Sequence, residues 1–129
     1  MSRFFHPVDA FIEAHRNDPA MAEFTKPLKA HVKYLQQATM WIGTMGFANP
    51  NHAGAGAVEY QKMFSIVLFA FIWAKQAALA SKLKDSDSEF YNAKLATARF
   101  YYAKILPGTI SLLASITAGA DPVMAEAGF

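Results

Sequence analysis

Cysteine is missing from this 129-residue sequence. With it go disulfides, thiolate zinc sites and cysteine nucleophiles. The absence fits a reducing compartment, and a cytoplasmic location is the expectation. Strand signals are missing too, with no Asn-Gly or Asp-Gly hairpin turn and no sustained period-two alternation. Charge of one sign is not in excess: 12 basic and 10 acidic residues leave a net +2. The bases Lys62, Lys75, Lys82, Lys84, Lys94, Arg99 and Lys104 are spread along the chain, so no nucleic-acid partner is expected. The start, Met1 to Pro7, lacks the apolar run of a signal peptide. The longest membrane-like stretch, Met63 to Ala74, is ended by Lys75 and Gln76 and is shorter than the ~20 apolar residues of a spanning helix. A buried core helix is expected there, and no membrane span.

Several kinds of chemistry are also short of parts. A di-iron bundle needs Glu-x-x-His pairs on two helices, and none occurs. Glu13 and His15 are two residues apart and point to different faces. His6, His15, His31 and His52 are widely separated, so no metal site is expected, and His31 reads as a solvent-facing or hydrogen-bonded helix residue. Gly54 and Gly56 follow no strand and precede no Lys-Ser/Thr, which excludes a phosphate loop. Asp85, Asp87 and Glu89 lack the glycine and downstream glutamate of a calcium loop. Helix capping accounts for them. No catalytic, cofactor-binding or metal-binding residue emerges.

What is present is helix-forming and apolar. Hydrophobic residues make up 53% of the chain and aromatics 14%, more apolar surface than one small bundle needs, so a partner surface is expected. The periodicity predicts an all-α, up-and-down bundle of three to four helices in one domain, two of them long and antiparallel. A short helix is expected at 7–16, with Pro7 at its first position. A second spans about 19–46, capped by Asp18 and kinked or restarted at Pro27 with Thr25 as cap. A third spans about 57–83, preceded by a loop around Gly43, Gly46 and Asn49-Pro50-Asn51. A fourth spans about 88–118, kinked at Pro107-Gly108 and closed by Gly119, with a tail over 119–129.

The third helix places Tyr60, Phe64, Val67, Leu68, Phe71, Ala74 and Ala78 on one face. Met63, Ile66, Phe69, Ile72 and Trp73 make the rest apolar as well, as for a helix in mid-bundle or at an interface. Three consecutive aromatics, Phe100-Tyr101-Tyr102, point three ways around a helix. At least one faces something other than the chain's own core. The candidate interface residues are therefore Phe69, Trp73, Arg99, Phe100 and Tyr101. A homo-oligomer through these surfaces is one expectation. An acyl chain held between helices lined by Phe64, Phe71 and Tyr102 is a lesser one.

A family resemblance rests on Asn92-Ala-Lys-Leu-Ala-Thr-Ala-Arg-Phe-Tyr, then Ile105-Leu-Pro and Thr117-Ala-Gly-Ala-Asp. Val58-Glu-Tyr with the helix through Trp73-Ala-Lys, and Ala38-Thr39 with Trp41, extend it over roughly residues 8 to 129. These segments resemble the C-terminal helical domain of bacterial acyl-CoA dehydrogenases related to 3-methylmercaptopropionyl-CoA dehydrogenase. The resemblance implies FAD-dependent α,β-dehydrogenation of an acyl-CoA, as in fatty acid metabolism, with a glutamate removing the α proton. That machinery belongs to upstream domains that these residues do not include, and neither Glu59 nor Glu89 matches a catalytic motif. The implied role is a structural domain, inactive and without cofactor alone, packed on the upstream dehydrogenase domains or on a neighbouring subunit.

Overall fold

The computed structural model describes residues 2–122. Among them are α1 (Ser2–Ala14), a 3-10 turn (Pro19–Met21), α2 (Ala22–Ala48), α3 (Pro50–Leu83), α4 (Ser88–Lys104) and α5 (Gly108–Thr117), and no strand. The fold is an all-α bundle. Residues 123–129 of the predicted tail lie outside the described residues.

Cross-helix contacts set the directions. Phe4 meets Phe64 and Phe11 meets Phe71, so α1 runs with α3. Thr39 bonds Tyr60, and Gly46 faces Ala53, so α2 runs against α3. Lys94 reaches Gln76, Tyr101 reaches Ile66, and Gly56 lies on Ile116. The segment α4–α5 is therefore antiparallel to α3 along its whole length. Glu23 with Arg99 and His31 with Thr109 then show α2 running parallel to α4–α5. The arrangement is up-down-up-down, with the fourth position shared by α4 and α5. Its core joins Val8, Met21, Phe24, Leu28, Leu35, Met63, Val67, Leu106 and Ile116, each at most 1% exposed.

Several boundaries differ from the sequence expectation. The first helix begins at Ser2, not residue 7, and Pro7 lies inside it. The proline removes one backbone bond, and the packing of Phe4 on Phe64 at 5.0 Å holds the turn before it. The second helix opens as a 3-10 turn, where Asp18 accepts the Ala20 N–H. It then runs unbroken through Pro27, and Thr25 is buried in it rather than capping it. It also continues past Gly43 and Gly46 to Ala48.

The third helix starts at Pro50, seven residues before the expected start. Asn49 caps it by accepting the Asn51 N–H at 3.1 Å, with Pro50 at the favoured first position. Gly54 and Gly56 lower helix propensity, but contacts override them: α2 passes at Gly46–Ala53 and α5 at Gly56–Ile116.

The expected fourth helix is broken rather than kinked. Pro107 has no N–H and clashes with the carbonyl four residues back. The chain closes α4 with the Ile105 and Leu106 N–H groups both on the Tyr101 carbonyl. It buries Leu106 completely and begins again at Gly108. Gly119 adopts φ +73°, the left-handed turn that favours glycine, and this aims the Ala120 N–H at His52 Nδ1, 3.0 Å away.

The buried face of α3 is also rotated from the expected one. Gly56, Met63, Val67, Ala70, Ala74, Ala77 and Ala80 are buried. Phe64 and Phe71 are half-buried under α1, which fills the space beside them.

Candidate functional site

The candidate interface residues fall on different surfaces. Phe69 on α3 is 51% exposed and Phe100 on α4 is 60% exposed. Trp73 is partly buried, with the Lys94 ammonium 5.9 Å from its ring centre. The same ammonium lies 5.5 Å from the Phe90 ring centre and 3.5 Å from Gln76 Oε1. Tyr101 is half-buried and donates to the Ile66 carbonyl at 2.7 Å. Arg99 leaves this face altogether and forks onto Glu23 of α2, at 2.6 and 3.2 Å. The hydrogen bond to Glu23 pushes the guanidinium pKa up. The three neighbouring aromatics do point three ways, with Phe100 out, Tyr101 along α3 and Tyr102 inward.

The outer side of α3 carries a row of exposed apolar residues interrupted by Gln76. Phe69, Ile72 and Leu79 are 51%, 37% and 55% exposed, and Phe90 of α4 adds a further 51%. The register of the Lys94–Gln76 and Tyr101–Ile66 contacts puts Phe90 level with Leu79. An eighteen-residue window of α3 has mean hydropathy 1.7, so by length and composition this helix is long and apolar enough to cross a membrane. That window reaches past Lys75 and Gln76, which end the unbroken apolar run at Ala74. In this fold α3 is the central helix, touching each of the others.

The buried polar groups are tied to one another. His31 Nδ1 and Thr109 Oγ1 share a short hydrogen bond between α2 and α5. The Tyr34 ring lies edge-on to the imidazole at 5.2 Å. Burial pushes the His31 pKa down. A hydroxyl beside an imidazole has the parts of an activated nucleophile. Thr109, however, is fully buried, so the pair is a structural tie. Tyr102 donates to the Ala70 carbonyl at 2.7 Å. Burial, and then the nearby Tyr101, raise its pKa, while burial alone pushes Tyr101 up to about 12. Among the described residues no buried side-chain polar atom lacks a partner, and no three His, Asp or Glu side chains gather as a metal site.

The aromatics proposed to line an acyl-chain site contact other rings instead. Phe4 is 5.0 Å from Phe64 and 6.4 Å from Phe71, and Tyr102 stacks edge-on to Phe24 at 5.3 Å.

One feature escaped the sequence reading. The outer face of α2 carries Lys26, Lys29 and Lys33, then Met40 and Phe47, the last two 72% and 93% exposed. The signal was the spacing of three lysines at i, i+3 and i+7, concealed by counting charge over the whole chain.

No curated protein matches the chain. The family model described as acetyl-CoA dehydrogenase C-terminal like matches residues 4–126, which takes in every helix of the bundle. The all-helical architecture and that match lead to one assignment: the chain belongs to the acetyl-CoA dehydrogenase C-terminal-like family.

Proposed function

We propose that this chain is a non-catalytic docking domain of an FAD-dependent acyl-CoA dehydrogenase, of the 3-methylmercaptopropionyl-CoA dehydrogenase type, acting in cytoplasmic fatty acid metabolism. Its role is to stabilise the dehydrogenase domains or a neighbouring subunit by packing against them. The flavin and the proton-abstracting glutamate belong to those domains, and this chain supplies packing surface. The observation that carries the reading is the outer stripe of α3 with Phe90. With large apolar side chains near ~150–200 Å² each, the four residues, about half exposed, present roughly 300–400 Å² of apolar surface. That matches the largest patch on a typical monomer, which is often functional. It also approaches the apolar share of one side of a standard interface, about 450 of ~800 Å².

Two measurements test the reading. The purified chain, given an acyl-CoA and an artificial electron acceptor, is expected to show no turnover and no flavin absorbance. Dehydrogenation with bound flavin would overturn the non-catalytic role. A hydrophobic fluorescent dye is expected to bind the chain, and Phe69→Glu with Leu79→Glu to lower its emission several-fold while leaving helicity unchanged. Unchanged dye binding would remove the α3 stripe as the docking surface.

A further inference from the structure

The outer faces of α2 and α4 carry matched patterns. On α2, Lys26, Lys29 and Lys33 come first, and Met40 and Phe47 follow. Among the described residues none of these lysines has a carboxylate within 4.0 Å. Two carboxylates on that side, Glu13 and Glu23, are held by Arg16 and Arg99. Like charges three and four residues apart on a helix repel, so the row is unfavourable within the isolated chain. On α4 the order is acidic and then apolar. Asp85, Asp87 and Glu89 stand at its start with one lysine, Lys84, beside them. Ala93, Ala96 and Phe100 continue along the outward side, all exposed.

The spacings agree. From the middle of the lysine row to the midpoint of Met40 and Phe47 is fourteen residues, about 21 Å at the helical rise. From Asp87 to Phe100 is thirteen residues, about 20 Å. The two helices run in the same direction within one chain, as the Glu23–Arg99, Phe24–Tyr102 and His31–Thr109 contacts show. A rotation about an axis along the bundle preserves helix direction. Within one chain Glu23 lies level with Arg99, so the lysine row stands about eighteen residues, ~27 Å, further along the axis than Asp87. Combined with a shift of that length, the rotation sets α2 of one copy beside α4 of the next, lysines against carboxylates and Phe100 between Met40 and Phe47.

We infer that a second copy of this chain docks head to tail, with the α2 face from Lys26 to Phe47 seated on the α4 face from Asp85 to Phe100. The contact is heterologous: in a docked pair one copy keeps its α4 face free and the other its α2 face, and the axial shift makes a longer series an open row and not a ring. Charge pairing at one end fixes the register and burial of Phe47 and Phe100 supplies the other end, as in interfaces where complementary charge sets orientation. The inference shares with the proposed function only the idea of an association domain, and it uses faces other than the α3 stripe.

Sedimentation tests it. The wild-type chain is expected to rise above monomer mass as its concentration approaches about 200 μM, and less so at high salt, which screens exposed charge. Lys29→Glu with Lys33→Glu is expected to stay monomeric, and so is Asp85→Lys with Glu89→Lys. Asp87 is left intact because it caps α4 through the Phe90 N–H. Mixing the two variants restores complementary faces at every junction, so association is expected to return. Far-UV circular dichroism checks folding, and Phe47→Ser with Phe100→Ser probes the apolar end without altering charge. A monomeric wild type, swaps without effect, or a mixture that stays monomeric despite native helicity would each overturn the inference. Loss of association on Phe69→Glu alone would move the self-contact to the α3 stripe, leaving the proposed docking role in place.

Discussion

A close approach between α2 and α3 makes a sharp test of how the bundle packs. Gly46 in the last turn of α2 faces Ala53 of α3. A β-carbon added at Gly46 would stand 2.7 Å from the Ala53 β-carbon. Real β-carbons do not approach so closely, and neither atom can swing away, because both are fixed to helical backbone. The helices must separate locally, at an overpacking cost of about 1–3 kcal/mol. Alanine regains part of the ~1 kcal/mol glycine penalty, less than the full amount because position 46 lies near a helix end. The net expectation for Gly46→Ala is a loss of about 1–2 kcal/mol. For a chain of this length 1 kcal/mol moves the melting temperature by about 3–4 °C, so a fall of about 3–8 °C is expected. Gly54 is the matched control. It lies in the second turn of α3 and nothing stands within 4 Å of its added β-carbon. Gly54→Ala is therefore expected to raise the melting temperature by about 2–3 °C. Thermal denaturation followed by circular dichroism reads both. Gly46→Ala as stable as the wild type would refute the close approach.

Three further outcomes follow from the polar ties. The His31 pKa is lowered in the folded chain, so the unfolded chain binds more protons just below its usual value near 6.5. Stability should then fall as pH drops below about 6.5 and be unaffected by this group above it; in melts from pH 8 to 5, the difference between wild type and His31→Gln should shrink. Tyr102→Phe removes a buried hydroxyl from the Ala70 carbonyl, which retains its place in the helix. It should cost about 0.5–1.5 kcal/mol by chemical denaturation. Arg99→Ala breaks a fork whose partners are 55% and 44% exposed. Exposed pairs contribute little, so a loss below ~1 kcal/mol is expected, and a larger one would place the guanidinium in a role beyond this pair.

Much of the fold is legible wherever local chemistry and packing agree. Asp18 with Pro19 opens α2, Asp87 opens α4, and Gly119 closes α5, each through a bond within a few residues. Legibility fails where a distant contact overrides a local preference. Gly46 reads as loop and Gly54 and Gly56 as a flexible helix start, yet Gly46 and Gly56 mark where α2 and α5 press on α3. Pro107 reads as a kink because the apolar period resumes, yet burying Leu106 completely takes a separate turn. Ties between residues about eighty positions apart, His31 with Thr109 and Glu23 with Arg99, have no local signature. Of the candidate surface residues, Phe69 and Phe100 stand out from the bundle. Arg99 and Tyr101 are instead engaged within it, one by a carboxylate and the other by a carbonyl.

The outward stripe of α3 is a consequence of how its inner side is built. Hydrophobicity is spread evenly around this helix, so its sequence alone does not say which side is core. Side-chain size does. The buried side is mostly alanine, at 70, 74, 77 and 80, and small residues let a neighbouring helix come near. The tyrosines of α4 use that nearness: Tyr101 and Tyr102 both donate to main-chain carbonyls in the middle of α3, at 2.7 Å. Such bonds need α4 to lie close, and large side chains on that side of α3 would prevent it. The large apolar residues of α3 are thus left for its other sides. Phe64 and Phe71 are covered by α1, while the described residues leave Phe69, Ile72 and Leu79 exposed. Enlarging the core alanines would separate α4 from α3 before it buried those three. The exposed stripe is therefore built into the packing of the bundle, and covering it takes a surface from outside the described helices.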